Sequence, residues 1–209
     1  MSYNVIMING SPHAKGCTAA ALSEVCRTLE KEGISVKNYT VGNKDIRGCI
    51  SCNSCNEKGK CVFDDLVNEI APEFEKADGI VIGSPVYYGS PNGTLLSFLD
   101  RLFYSTHFSK HMKVGAAVVS CRRGGNTASF DVLNKYFTIS GMPVVSSTYW
   151  NQVHGFTADD VMKDLEGLQT MRNLARNMAF MIKAVSDAKE RYGMPEEEHS
   201  FFTSFPDGK

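Results

Sequence analysis

The stretch VIMINGSP, residues 5–12, decides the fold: four consecutive apolar side chains run into an Asn-Gly-Ser-Pro turn. A continuous apolar run of this length is typical of a strand that is buried on both faces of a parallel sheet. Beyond the turn, Leu22, Val25 and Leu29 recur at helical spacing, and Gly33 provides a stop signal. The order strand, loop, helix is therefore the first unit of an α/β fold.

The same unit repeats along the rest of the chain. Further strands are predicted at residues 34–40, 79–83, 114–120 and 143–149. Further helices are predicted at residues 64–76, 95–103 and 129–140, with a long one after the capping box Thr157-x-x-Asp160. Pro72 lies inside one of these helices, where we expect a kink or a break. The pattern predicts an α/β fold with a doubly wound, five-stranded parallel sheet and helices on both faces.

The length and the charge of the chain limit the number of domains and the kinds of partner that we expect. We expect one domain over residues 1–192, with a cysteine-rich insertion at 47–62 and a C-terminal tail at 193–209. The 209 residues carry 22 Lys and Arg against 23 Asp and Glu, which gives no general attraction for nucleic acid or anionic lipid. The N-terminal apolar run is too short for a signal peptide, and no run approaches the roughly 18 apolar residues of a membrane span. We therefore expect a cytoplasmic protein without nucleic-acid or membrane partners, whose seven cysteines are thiols or metal ligands.

Ligands of such sheets bind beyond the carboxyl ends of the strands. The loop after the first strand, GSPHAKGCT at 10–18, leads into a helix whose first N–H groups and dipole favour a phosphate. Ser11 and Thr18 add hydroxyl donors, and His13 and Lys15 can add charge. The spacing is not that of a Walker A loop. A capped helix start without a ligand is the alternative interpretation.

Two more loops end at the same edge. The loop after the third strand, SPVYYGSPNG at 84–93, presents Tyr87 and Tyr88, whose rings can stack on a flat ligand. The loop after the fourth strand, SCRRGG at 120–125, offers two arginines and two glycines toward negative charge. Each loop also has a simpler interpretation, as packed tyrosines or as an exposed basic turn.

Together the three loops resemble those of the flavodoxin-like NADPH-dependent FMN reductase family, and the resemblance extends to MPVVSSTYWNQVHG at 142–155. It implies that the FMN phosphate is surrounded by Ser11, His13, Cys17, Thr18 and Ala19. It implies that the flavin ring faces Pro85, Val86, Tyr87, Tyr88 and Gly89 on one side and Ser120, Arg122, Arg123, Gly124 and Gly125 on the other. His13 and Cys17 depart from the residues common in that family, which predicts weaker or pH-dependent phosphate binding.

Four cysteines crowd into thirteen residues as C-x2-C-x2-C-x5-C, at Cys49, Cys52, Cys55 and Cys61. Thiolates at this spacing can enclose a 4Fe-4S cluster, and the segment resembles the compact motif of iron-sulfur flavoproteins. An empty or thiol-only loop is an equally weighted alternative, and zinc or a redox disulfide is a lesser one. Zinc is disfavoured because its ligands usually come from two separated pairs.

The resemblance implies an FMN-dependent oxidoreductase that passes electrons from NAD(P)H or a reduced carrier to a small acceptor. The acceptor would be a quinone, a nitroaromatic, an oxygen species or a flavin, and no catalytic side chain is assigned. Hydride transfer needs positioning rather than a protein acid or base. The alternatives are an iron-sulfur flavoprotein or flavodoxin-type carrier that docks to partners such as ferredoxin, and a redox-sensing interaction protein.

The resemblance also implies a homodimer or homotetramer. Phe201, Phe202 and Phe205, in an otherwise polar tail, are candidates to clasp a neighbouring subunit.

Overall fold

The computed structural model describes residues 3–199, 201 and 203. Its strands are β1 (Tyr3–Asn9), β2 (Ile34–Thr40), β3 (Gly79–Tyr87), β4 (Ser90–Pro91), β5 (Val114–Cys121) and β6 (Gln152–His154). Its helices are α1 (Cys17–Lys31), α2 (Ser54–Lys58), α3 (Leu66–Lys76), α4 (Gly93–Ser105), α5 (Asn126–Ile139), α6 (Ala158–Val161) and α7 (Leu165–Tyr192). Apart from the short α2, β4 and α6, strands and helices alternate as the apolar pattern predicts.

The central sheet has the strand order β2-β1-β3-β5-β6, and all neighbours in that order are parallel. This confirms the predicted five-stranded parallel sheet. The short strand β4 adds an antiparallel hairpin to the end of β3. Asn9 pairs with Gly83 and Pro85 pairs with Ser120, so the carboxyl ends of β1, β3 and β5 lie side by side.

Helices cover both faces of the sheet, because its inner strands are apolar on both sides. Val5 and Met7 of β1 belong to a buried cluster that includes α1 and α7. The intervening Ile6 and Ile8 belong to a second cluster with α3, α4 and α5. The doubly wound arrangement is confirmed, and it leaves the strand ends as the places where loops meet solvent.

The predicted fifth strand at 143–149 is wrong. In that segment only Val144 bridges to the sheet, opposite Gly115, and the strand β6 lies farther on, at 152–154. The buried Asn151 explains the displacement, since its side chain bonds Ser147 Oγ at 2.8 Å and Val145 O at 3.4 Å and so makes a turn. The chain joins the ladder only after this turn.

Two expectations about helices are also corrected. The capping box at Thr157 and Asp160 is present, but it opens the four-residue α6 rather than the long helix. The long helix α7 has its own cap at Asp164, whose carboxylate accepts from Gly167 N at 2.9 Å, and it ends at Gly193 as predicted. Helix α3 continues through Pro72 to Lys76, so the expected break does not occur.

The described residues contain no helix with the length and hydropathy that a membrane span requires. Phe201 is exposed, whereas the predicted subunit contacts at Phe202 and Phe205 lie outside the described residues.

Candidate functional site

The loop after β1 is held by hydrogen bonds that begin at the end of the strand. Gly10 N donates to Gly83 O at 2.8 Å, and Ser11 N donates to the Asn9 side-chain oxygen at 2.9 Å. His13 N donates in turn to Ser11 Oγ at 3.1 Å. Ser11 is buried while His13 is exposed, so the loop turns from the sheet edge toward solvent over three residues.

A second loop presses against the first from the end of β2. A Cβ atom at Gly42 would lie 2.1 Å from Gly10 O and 2.4 Å from the Ser11 carbonyl carbon. No side chain fits between backbones that approach this closely. The loop at 10–16 is therefore backed by the Gly42 backbone, which fixes the position of its amide groups.

The loop ends at an uncapped helix. Gly16 is the N-cap of α1, and it makes no side-chain cap hydrogen bond because glycine has no side chain. Such a terminus combines free N–H groups with the positive end of a fifteen-residue helix dipole. The Thr18 and Ser120 hydroxyls, buried and 2.8 Å apart, join this helix start to the end of β5. This geometry suits a phosphate group.

The loop after β3 is a two-residue hairpin between Tyr87 and Ser90. Its central residues, Tyr88 and Gly89, have φ values of 52° and 75°, in the left-handed region that such hairpins require. Tyr88 is fully exposed and Tyr87 is 42% exposed. A tyrosine in this conformation costs roughly 1 kcal/mol, so the turn carries an aromatic ring at the expense of local stability.

The loop after β5 packs on that hairpin. A Cβ atom at Gly125 would lie 2.8 Å from both Gly89 Cα and a Val86 methyl carbon. Gly125 also has φ of 85° and is the N-cap of α5, again without a side-chain cap. Arg122 and Arg123 of the same loop are exposed.

The structure thus brings the three predicted loops together. Thr18 and Ser120 link the first loop to the third, Gly125 and Gly89 link the third to the second, and all three line one edge of the sheet. Burial raises the pKa of the Cys17 thiol, which disfavours the reactive thiolate. Cys17 Sγ donates to Gly155 O at 3.5 Å, which ties the start of α1 to the segment after β6.

The four cysteines of the insertion line one narrow recess with Phe63, Arg101 and Tyr104, and its cavity volume is ≈ 20 Å³. All four are free thiols; Cys55 is buried, whereas Cys49 and Cys52 are exposed. Across the described residues, no three His, Cys, Asp or Glu side chains stand close enough to hold a metal ion. The recess therefore contains suitable donors, with the sulfurs set apart from one another.

The backbone of the insertion is unusual around its first cysteines. Ser51 and Asn53 have φ values of 53° and 56°, in the left-handed region that residues other than glycine rarely adopt. Ser51 N donates to Cys49 Sγ at 3.4 Å, and Arg101 Nε donates to Cys61 Sγ at 3.2 Å. Donors directed at sulfur are the contacts that stabilise cluster thiolates. Four thiols in one recess are the kind and number of ligands that a 4Fe-4S cluster takes.

Arg101 was not identified from the sequence. Its side chain is 1% exposed, and its guanidinium contacts Asp65 at 2.6 and 2.9 Å through two nitrogens. Burial lowers the pKa of Arg101, but the hydrogen bonds to Asp65 and Cys61 raise it by more. The sequence did contain a signal for Arg101, because it is a charged residue between Phe98 and Leu102 on the apolar face of α4. A charged side chain on a buried face needs partners there, so it deserves inspection.

Helix α4 connects the recess to the three loops. It starts at Gly93, directly after the hairpin, and Arg101 and Tyr104 near its other end line the recess. A Cβ atom at Gly48, next to Cys49, would lie 3.8 Å from Ser97 Oγ. Ser97 is four residues into α4, which corresponds to about 6 Å of helix. The insertion therefore starts close to the edge formed by the loops.

Comparison with known proteins agrees with this geometry. Residues 3–157 match the family model of NADPH-dependent FMN reductase. An iron-sulfur flavoprotein of Methanocaldococcus jannaschii is 34% identical over 189 residues, which cover 87% of this chain and 98% of that protein. An iron-sulfur flavoprotein of Methanosarcina thermophila is 26% identical over 188 residues, which cover 88% and 97%.

Solved structures share the fold at low identity. An NAD(P)H:quinone oxidoreductase from Methanothermobacter marburgensis has a TM-score of 0.66 at 15% identity, covering 85% of this chain and 98% of its own. A flavodoxin from the domain Archaea has a TM-score of 0.60 at 16% identity, covering 86% and 99%. These similarities confirm a flavodoxin-like fold.

Proposed function

The chain belongs to the NADPH-dependent FMN reductase family, and from that premise we propose that it is an FMN-dependent oxidoreductase with an iron-sulfur cluster in its cysteine insertion. Electrons enter from NAD(P)H or from a reduced carrier and leave to a small acceptor. The observation that carries the proposal is the contact of three loops at one sheet edge beside the uncapped start of α1.

In this proposal the FMN phosphate binds to the start of α1. Backbone N–H groups of Cys17, Thr18 and Ala19 donate to it, together with the Ser11 and Thr18 hydroxyls. His13 is exposed beside the loop and adds positive charge when it is protonated. The Gly42 backbone keeps these donors in place before the ligand arrives, which reduces the entropy lost on binding.

The flavin ring would lie between the second and third loops. Pro85, Val86 and Gly89 bring backbone close to it, and Tyr87 and Tyr88 offer aromatic faces. Bound FMN supplies hydride transfer and one-electron transfer. Residues of the third loop would supply hydrogen-bond donors and positive charge to the electron-rich end of the reduced ring. These residues are Ser120, Arg122, Arg123, Gly124 and Gly125.

The proposed cluster is a 4Fe-4S cluster held by the insertion. Its ligands would be Cys49, Cys52, Cys55 and Cys61, which share one recess. Support comes from the donors aimed at two of the sulfurs and from the similarity to iron-sulfur flavoproteins. Anaerobically purified protein should contain about four iron and four sulfide per chain. Finding neither, even after reconstitution with iron and sulfide, would contradict the cluster.

The oxidoreductase proposal is tested by mixing anaerobic holoprotein with NADPH or NADH and then with a quinone. We expect the visible absorbance of the flavin to fall with the nicotinamide and to return with the quinone, over many turnovers. Reduction by ferredoxin but by neither nicotinamide would instead support the second candidate, an electron carrier that docks to protein partners. The cysteine recess beside α4 favours this second candidate, because a cluster there passes single electrons.

We also propose that the protein is a cytoplasmic homodimer or homotetramer. Light scattering at micromolar concentration should then give about two or four times the chain mass of 23.0 kDa. A mass of 23.0 kDa would contradict the assembly while leaving the FMN site unaffected.

A further inference from the structure

Arg101 is a buried cation at the inner wall of the cysteine recess, and its side chain binds residues of the insertion and of the segment that follows it. One nitrogen donates to Asp65 and to Arg47 O, the other to Asp65 and to Phe63 O, while Nε donates to Cys61 Sγ. The guanidinium also lies 5.1 Å from the centre of the Phe63 ring. A single side chain of α4 thus connects the segment before the cysteines with the segment after them.

The rigid guanidinium fork that Asp65 holds sets the direction of Nε. Asp65 caps α3 by accepting from Val67 N at 3.1 Å, and its two oxygens occupy the terminal nitrogens of Arg101. The third donor points at a sulfur atom, which is a weak acceptor as a thiol and a stronger one as a thiolate. A buried charge is costly unless it is paired and hydrogen-bonded, and the partners of this one are the Asp65 carboxylate and the Cys61 sulfur. The arrangement suits a sulfur that carries negative charge.

Resting on the iron-sulfur site proposed above, we propose that Arg101 is a positioning residue of that site: it fixes Cys61 as the anchored ligand, and its charge raises the reduction potential of the cluster. Hydrogen bonds to cluster sulfurs and nearby charge both set the potentials of such clusters. A positive charge stabilises an added electron, so its removal should make the cluster harder to reduce.

Three variants of the anaerobic holoprotein separate charge from shape. R101Q removes the charge, and R101K keeps the charge but loses the planar fork. R47Q is the matched control, because Arg47 is also a cation of the insertion and places its guanidinium 4.7 Å from the centre of the same Phe63 ring. For each protein we would measure FMN, iron and sulfide content, and the cluster potential by a redox titration followed by electron paramagnetic resonance.

We expect R101Q to lower the equilibrium constant for one-electron reduction of the cluster by about tenfold or more, which corresponds to a 59 mV fall in potential. Loss of iron from R101Q with FMN retained would equally support the proposal. R47Q should match wild type. A loaded R101Q cluster with the wild-type potential would overturn the role of Arg101 and leave the proposed function intact.

If R101Q fails to fold, as judged by loss of FMN binding, the R101K variant tests the proposal instead. We expect a chelator to remove its iron at least about tenfold faster than from wild type, as is typical when a residue that supports a metal ligand is lost. Iron loss at the wild-type rate would overturn the proposal. A wild-type protein without iron after anaerobic reconstitution would instead refute the iron-sulfur site itself.

Discussion

Gly42 is the residue whose replacement tests the phosphate loop without touching a proposed ligand contact. In G42A the new Cβ would meet Gly10 O at 2.1 Å, so the backbone at 10–11 must move. We expect the affinity for FMN to fall at least tenfold, about 1.4 kcal/mol. Quenching of flavin fluorescence in titrations of the FMN-free protein measures this change.

The matched control for G42A is G93A. A Cβ at Gly93, the first residue of α4, has nothing within 4 Å, and alanine favours the helix. G93A should bind FMN as wild type does. Equal affinities of G42A and wild type would show that the 10–16 loop does not depend on this close packing.

Lys110 gives a prediction about pH. It is buried, its Nζ donates to Thr106 O at 3.1 Å, and burial lowers its pKa from 10.5 to about 8. Between these values the unfolded chain binds more protons than the folded one, so the stability contributed by this residue rises with pH. Urea titrations should show that wild type gains about 2 kcal/mol relative to K110M between about pH 7.5 and 9.5. A difference between the two proteins that is constant with pH would contradict the lowered pKa.

At the residue scale, the sequence indicates the loop residues of the site better than the residues that hold those loops in place. Ser11 and Tyr88 stand out because they lie beside glycines in the loops that follow predicted strands, and Thr18 stands out as a hydroxyl at a predicted helix start. The role of Gly42 depends on an approach between two backbones 32 residues apart, which local pattern does not reveal. Arg101 lies on an apolar helix face, and only tertiary contacts show that Asp65 and Cys61 surround it.

At the scale of the elements, the β3–β4 hairpin contains a residue, Tyr88, whose conformation lowers the stability of the fold and whose ring is proposed to contact FMN. Tyr88 has φ of 52°, a conformation that asparagine adopts more easily, and Asn-Gly is a favoured pair for this turn. We expect Y88N to raise the free energy of unfolding of the FMN-free protein by up to about 1 kcal/mol. The same change should weaken FMN binding, because it removes an aromatic ring.

Urea titration of the FMN-free protein and an FMN titration measure the two effects of Y88N. Y88F provides the matched control, since it keeps the ring and the left-handed strain and should bind FMN nearly as wild type does. Tighter or unchanged FMN binding in Y88N would exclude this ring from the site.

The elements themselves follow from local pattern where their apolar runs are long. β1, β3 and β5 were predicted at their cores, because their apolar runs are buried on both faces. β2 was predicted with its observed bounds from alternation alone. The three-residue β6 has no such run, and the apolar segment before it contacts the sheet mainly through Val144 and Val145. The turn around Asn151 depends on side-chain bonds, which periodicity does not detect.

At the scale of the whole molecule, the order of the strands determines where the proposed FMN site lies. In the order β2-β1-β3-β5-β6, β2 lies on one side of β1 and the later strands lie on the other, so the order of strands switches between β1 and β3. Ligands of such sheets bind at that switch point. Alternation of strands and helices was enough to predict the fold and the edge. The spacing of the cysteine sulfurs could not be predicted, because it depends on how the insertion folds against α4.

The central claim is that this edge holds FMN, and the flavin content of the purified protein tests it most directly. Flavin released by heat is identified by chromatography and counted against the 23.0 kDa chain. The account predicts about one FMN per chain, retained in G93A and reduced in G42A. Colourless protein that binds no added FMN at saturating concentration would contradict it.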